Sequence, residues 1–199
     1  MGEDRIGIVH RTTKETDIYA KINLDGKGNY DIKCEIGFLK HMLETFARYS
    51  NFDIKLDISG DLHVDYHHTI EDTAIVLGRA IYEALGDKKG INRAGFFVFP
   101  MDDSLVLTAI DLSGRFKLVY DLKFQYPKIG DVSVDLFYDF FYAFGQEAKM
   151  NLHIKEFYGY SDHHKIEAVF KSLGKSFKYA VSYDATLGDN ILSTKGVLV

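Results

Sequence analysis

Apolar residues in this chain follow two rhythms. Ile18, Ala20, Ile22 and Leu24 alternate with polar neighbours, as do Tyr30, Ile32, Cys34 and Ile36, and then Phe52, Ile54, Leu56 and Ile58. A period of two puts one set of side chains on one face of a strand. Strands are therefore predicted over about 5–11, 17–24, 30–36 and 52–58. The Asp25-Gly26-Lys27-Gly28 turn signal predicts a hairpin joining the second and third. Between the third and fourth, Phe38, Leu39, Met42, Leu43 and Phe46 step by three and four, the spacing of an amphipathic helix. A second helical run, Ile70, Ala74, Leu77 and Ile81, covers about 69–85.

Gly86-Asp87-Lys88-Lys89-Gly90 is the clearest break, and the same plan then recurs. Strands are predicted at 95–101, 104–112 and 116–123, followed by a loop at 124–131. A Phe- and Tyr-rich helix at 134–149, a strand at 151–157 and a helix at about 163–183 complete the pass. Each half reads strand, strand, strand, helix, strand, helix. A repeat this long implies a duplicated domain rather than a solenoid. Residues 1–90 form the first half, 91–183 the second and 184–199 a tail. The fold class that follows is α+β, with helices on one face of each sheet and the halves stacked through those helices.

Each half carries one copy of a polar motif at the head of its last helix: His67-His68 with Glu71-Asp72, and His163-His164 with Glu167. Residues four apart share a helix face, so His67 with Glu71, and His163 with Glu167, can hold one ion together. Successive residues are turned by about 100°, so the second histidine of each pair points elsewhere. The simplest solution is two metal sites, each taking a His and Glu from one helix and the neighbouring His from the other. A single adjacent histidine pair is ordinarily a packing or surface feature; two copies of HHxxE in one chain are not easily explained by packing.

Composition narrows the class. The 199 residues are 46% hydrophobic and 27% charged with net charge −5, which suits a globular chain with a real core. No basic run supports nucleic-acid binding. The single cysteine, Cys34, excludes an internal disulfide and suits a reducing compartment. Without an apolar leader at the N-terminus or a stretch of membrane-spanning length, a cytoplasmic location is expected and no membrane partner.

The sequence resembles the imidazoleglycerol-phosphate dehydratase family. The segments that carry the likeness are RTTKET (11–16), LDGKG (24–28), GFLKHML (37–43), LHVDYHHTIED (62–72), FPMDDSL (99–105), DLSGR (111–115), SDHHKIEAVFKSL (161–173) and STKG (193–196). The resemblance implies the monofunctional form, on a duplicated fold of the ribosomal S5 domain 2-like class with two helices on each four-stranded mixed sheet. It also implies an octahedral 24-mer of trimers with active sites between subunits. Two Mn²⁺ ions per subunit are implied, one held by His67, Glu71, His153 and His164, the other by His41, His68, His163 and Glu167. Arg93, Arg115, Lys171, Ser193, Thr194 and Lys195 match substrate contacts, the charged ones suited to a phosphate. Asp102 matches a substrate-facing position, and Glu15 a flexible acid that closes over the site. Departures from the family pattern are Lys40, Thr45, Ala94 and Leu192; Thr45 replaces a glutamine that contacts substrate. His10 and His63 match no ligand position.

The reaction so implied is loss of water from imidazoleglycerol phosphate to give imidazole acetol phosphate, in histidine biosynthesis. The proton removed is not adjacent to a carbonyl, so the substrate's own imidazole must be the electron source. A cation at each ring nitrogen would favour the imidazolate. Glu15 is the expected acid–base residue, with Glu71 and Glu167 as ligands able to relay protons. Two other readings of the residues remain: a di-metal phosphoester hydrolase, and a metal-stabilised shell without catalysis.

Overall fold

The computed structural model describes residues 4–196 and 198. Its first half runs β1 (Ile6–Thr12), β2 (Thr16–Asn23), β3 (Tyr30–Lys33), α1 (Gly37–Ser50), β4 (Asp53–Gly60) and α2 (His67–Leu85). The second half runs β5 (Ala94–Met101), β6 (Ser104–Asp111), β7 (Lys117–Asp121), a short ribbon β8 (Lys128–Ile129) and β9 (Val132–Ser133), α3 (Asp135–Glu147), β10 (Asn151–Tyr158) and α4 (Asp162–Ala180). The duplication is plain in the sheets. Their strand orders are β1-β2-β4-β3 and β5-β6-β10-β7, which is one topology used twice.

One predicted pairing is wrong. β2 does not form a hairpin with β3; it pairs antiparallel with β1 and β4, and β3 runs parallel to the far edge of β4. Alternation specifies a buried face, not a partner. Asp53 redirects the chain: its Oδ1 accepts from the backbone N–H of Lys27 at 2.9 Å and of Asn29 at 2.8 Å. This carries residues 25–29 around the end of β4 and leaves β2 free for its two long neighbours. The predicted loop at 124–131 also differs, since its end closes into the β8–β9 ribbon.

Each sheet is covered on one face by its own two helices, and the helical layers meet, α1 along α4 and α2 along α3. The seam is aromatic. Phe46 on α1 packs edge-on against Phe144 on α3 and Phe177 on α4, with ring centroids 6.1 and 5.6 Å apart. Burial of such side chains supplies the main drive for stacking the halves. Close backbone approaches obey the same symmetry. A Cβ added at Gly7 on β1 would lie 1.9 Å from the Ala80 carbonyl oxygen on α2, and one at Gly95 on β5 would lie 2.2 Å from that of Ser176 on α4. Glycine is required where strand and helix touch this closely. No helix among the described residues is long and apolar enough to cross a membrane.

Candidate active site

Both doublets sit at helix N-termini, and the two starts are built differently. The Ser161 hydroxyl caps α4 by accepting from the His164 backbone N–H at 3.3 Å. α2 has no cap of that kind; Asp65 accepts from the His67 N–H at 2.7 Å. The resulting side-chain geometry is nevertheless the same. His67 Nε2 lies 3.6 Å from Glu71 Oε2, and His163 Nε2 lies 3.2 Å from Glu167 Oε2.

The second histidine of each pair is held at Nδ1 by an aspartate. His68 Nδ1 is 3.0 Å from Asp61 Oδ2, and His164 Nδ1 is 2.5 Å from Asp103 Oδ1. Each contact leaves Nε2 free to ligate, the usual carboxylate–histidine support of a metal site. The His68 pKa is raised, first by the Asp61 hydrogen bond. Asp103 is held far below the usual carboxylate range by His164, then by the Ser161 and Tyr160 N–H groups at 2.8 and 2.6 Å. The sequence reading missed Asp61 and Asp103. Asp61 precedes His68 by seven residues, but Asp103 is about sixty residues from His164, and only the β5–β6 turn brings it there.

Packing of α1 on α4 adds a third ligand candidate. His41, His163 and Glu167 each offer an atom within 4.8 Å of the others. Glu167 is the best enclosed of the three. Burial pushes its carboxyl up, but the Lys171 hydrogen bond and charge, with His41 and His163, together hold it below the usual range. On α3, Asp139 occupies the place that His41 holds on α1, counting back from the left-handed residues Lys149 and Asn51 after each helix. It lies 3.6 Å from His67 Nδ1.

The crossed set anticipated from spacing does not close within one chain. Among the described residues no other such trio forms: His67 and Glu71 stand apart from His163 and Glu167, His68 is not with His41, and His153 is exposed on the outer face of β10. The reason is the packing, because α2 lies along α3 and α4 along α1, which separates the doublet helices. His10 and His63 are exposed, and His10 pairs with Asp17 at 2.7 Å.

The residues matched by resemblance to substrate contacts divide in the same way. Arg93, Arg115, Ser193, Thr194 and Lys195 line one cavity of about 380 Å³ together with Ser113, Leu192 and Leu198. Arg93 grips Asp111 through Nε at 2.7 Å and Nη2 at 2.9 Å, and its Nη1 donates to the Leu192 carbonyl at 2.7 Å. Lys171 is elsewhere, 2.8 Å from Glu167 and against the Tyr49 and Phe99 rings. Thr45 is buried. Asp102, in the β5–β6 turn, lies 3.6 Å from His164 Nε2. Glu15 lies in the β1–β2 turn, its carboxylate 3.9 Å from His68 Nδ1 and its backbone N–H donating to the Thr13 hydroxyl.

A twice-used β/α unit presenting paired imidazole–carboxylate motifs at its helix starts defines a duplicated α+β fold. Residues 34–177 match the family described as imidazoleglycerol-phosphate dehydratase. An imidazoleglycerol-phosphate dehydratase of Caldicellulosiruptor bescii is 46% identical over 198 residues, which cover 100% of each chain to the nearest per cent. A bifunctional histidine-biosynthesis protein of Spirosoma linguale is 50% identical over 194 residues, 98% of this chain and 50% of the relative, so the chain spans about half of that protein. A crystal structure of the dehydratase from Staphylococcus aureus superposes with TM-score 0.82 at 31% identity, covering 90% of this chain and 99% of that one. The dehydratase from Pyrococcus furiosus gives 0.79 at 34%, covering 96% and 100%. The chain belongs to the imidazoleglycerol-phosphate dehydratase family, and its activity is that of a hydro-lyase of histidine biosynthesis.

Proposed function

We propose that the chain removes water from imidazoleglycerol phosphate to give imidazole acetol phosphate, at sites completed between copies of itself and loaded with two Mn²⁺ per subunit. The observation that carries this reading is the equal geometry of the two doublets combined with their separation in one chain. Each presents a histidine–glutamate pair and an aspartate-supported second histidine; of the ligands they lack, His153 is exposed and His68 and His164 are half-buried. A neighbouring copy supplies what each half-site lacks, so ion binding and assembly are linked.

The donors fit the ion. His41, His163 and Glu167 offer imidazole nitrogen and carboxylate oxygen within reach of one centre, a set that suits Mn²⁺ among other divalent metals. Such an ion, when bound, polarises a substrate ring nitrogen and favours the imidazolate. The proposed ligands are those the resemblance implies: His67, Glu71, His153 and His164 for one ion, and His41, His68, His163 and Glu167 for the other.

The chain's own groups then divide the work. Arg93 and Arg115 with Lys195 present fixed positive charge to the phosphate, and the Ser193 and Thr194 hydroxyls can donate to its oxygens. Lys171, from its place beside Glu167, adds a cation on the ring side. Asp102, in a left-handed turn conformation next to His164, faces the substrate hydroxyls. Glu15, beside His68, moves the proton between the glycerol carbons and the departing hydroxyl, with Glu71 and Glu167 as ligands that also relay protons. Holding base, ring and leaving group in line is the main catalytic gain. The free Cys34 suits a cytoplasmic setting.

Incubation of the Mn²⁺-loaded protein with imidazoleglycerol phosphate is expected to give an enolisable ketone that absorbs in alkali, with no inorganic phosphate. Phosphate release would make it a hydrolase; an unchanged substrate would leave only a metal-stabilised shell.

A further inference from the structure

The first half buries a charge that the chemistry above does not use. Asp72 on α2 has 8% of its side chain exposed. Its Oδ2 accepts from the Thr16 hydroxyl at 2.5 Å and also from the Arg11 guanidinium. Arg11 and Thr16 are the two stems of the β1–β2 turn, and the tip of that turn is Glu15. Inside the turn, the Thr13 hydroxyl accepts from the Glu15 and Thr16 backbone N–H groups, each at 3.0 Å, and the Thr13 N–H donates to the Thr16 carbonyl at 2.8 Å. Asp72 follows His68 by four residues, so the anchor and the ligand share one face of α2.

The duplicated fold provides an internal control. At the matching place on α4, one residue after Glu167, stands Ala168, fully buried. The fold itself therefore does not need a carboxylate there, and an unpaired one would be costly. The matching β5–β6 turn also delivers carboxylates to the second histidine of its doublet, but it is anchored differently: Asp103 accepts from Tyr160 and Ser161 backbone. Each hairpin turn thus brings an acid to a doublet, and the longer one is tied down by a buried side chain instead.

We propose that Asp72 is a positioning residue that fixes the Glu15 turn over His68 through Thr16 and Arg11. This rests on the reading of Glu15 as the acid–base group. Releasing the anchor leaves metal ligands and phosphate contacts in place but lets the Glu15 carboxylate wander from its working position, a displacement of the kind that lowers turnover by about ten- to a hundredfold.

The test compares Asp72→Asn, Thr16→Val, Glu15→Gln and the Glu15→Gln/Asp72→Asn pair in the Mn²⁺-loaded assembly. Asp72→Asn is expected to lower kcat with little change in KM, metal content or particle size. Amide exchange over residues 12–16 is expected to quicken in Asp72→Asn and Thr16→Val but not in Glu15→Gln. The double variant should be no slower than Glu15→Gln, because both changes disable the same group. Should Asp72→Asn fail to assemble, Thr16→Val decides, since it removes the turn's bond and keeps the buried ion pair. A kcat loss that multiplies with that of Glu15→Gln, or a native kcat in the anchor variants while Glu15→Gln is inactive, overturns the proposal. Full turnover in Glu15→Gln instead removes the reading of Glu15 itself.

Discussion

Single residues here act through what holds them. His164 owes its orientation to Asp103, whose carboxylate is kept ionised by three hydrogen bonds. Asp103→Asn replaces an acceptor with an amide that cannot hold the ring in the same way. Its Mn²⁺ affinity is expected to fall about ten- to a hundredfold, readable by titrating metal into the stripped protein. Lys88 shows a different constraint. Its ammonium is buried and donates to the Leu112 carbonyl at 3.1 Å, and burial, helped by the Lys149 charge, lowers its pKa to about 8. Below that pH both folded and unfolded chains keep the proton, and folding bears the full cost of a buried cation. Between about 8 and the ordinary 10.5 the folded chain gives it up first, so this residue's contribution becomes more favourable as pH rises. The native chain should therefore gain stability relative to Lys88→Met between about pH 7 and about pH 9.5. Urea midpoints of both proteins at the two pH values measure it; a constant gap would contradict the burial argument.

At the scale of elements, the sequence disclosed helices and strands far better than their partners. The three-and-four spacing of Ile166, Val169, Phe170, Leu173 and Phe177 could only be a helix face, and all five are buried on α4. The alternation in β3 gave no hint that it would join β4 in parallel, because that choice lies in Asp53 and the path of residues 25–29. Glycine spacing was equally silent. Gly95 reads as a weak strand residue, yet it is the contact point of β5 and α4, where an added methyl meets backbone on a neighbouring element. Gly95→Ala is expected to destabilise by about 1–3 kcal/mol through overpacking, despite alanine's lower backbone entropy cost. Denaturant unfolding checks it; a neutral result would mean the strand can slide away from the helix.

For the whole molecule, α2 lies on α3 and α4 on α1, which keeps the two doublets apart within one chain. If copies complete one another, a chain lacking the α2 doublet and a chain lacking the α4 doublet should rescue each other. Co-refolding of His67→Ala/His68→Ala with His163→Ala/His164→Ala in equal amounts should restore about a quarter of native activity, since half of each doublet is intact. Each variant alone should be inactive. Absence of rescue in assemblies of native size would place the whole site within a single chain.

Local periodicity and motif spacing alone determined that the fold is duplicated, that each half ends in a helix headed by HHxxE, and which histidine shares a face with which glutamate. These are properties of neighbours along the chain, fixed by helix and strand repeat. Tertiary structure decided what spacing cannot encode: that His41 joins His163 and Glu167 while Asp139 takes its place beside His67, that Lys171 leaves the other cations, and that Asp103 meets His164, Asp61 meets His68 and Asp72 meets Thr16. Each of these depends on helices and turns from distant parts of the chain meeting across a packed core, where position follows from shape and burial rather than from sequence order.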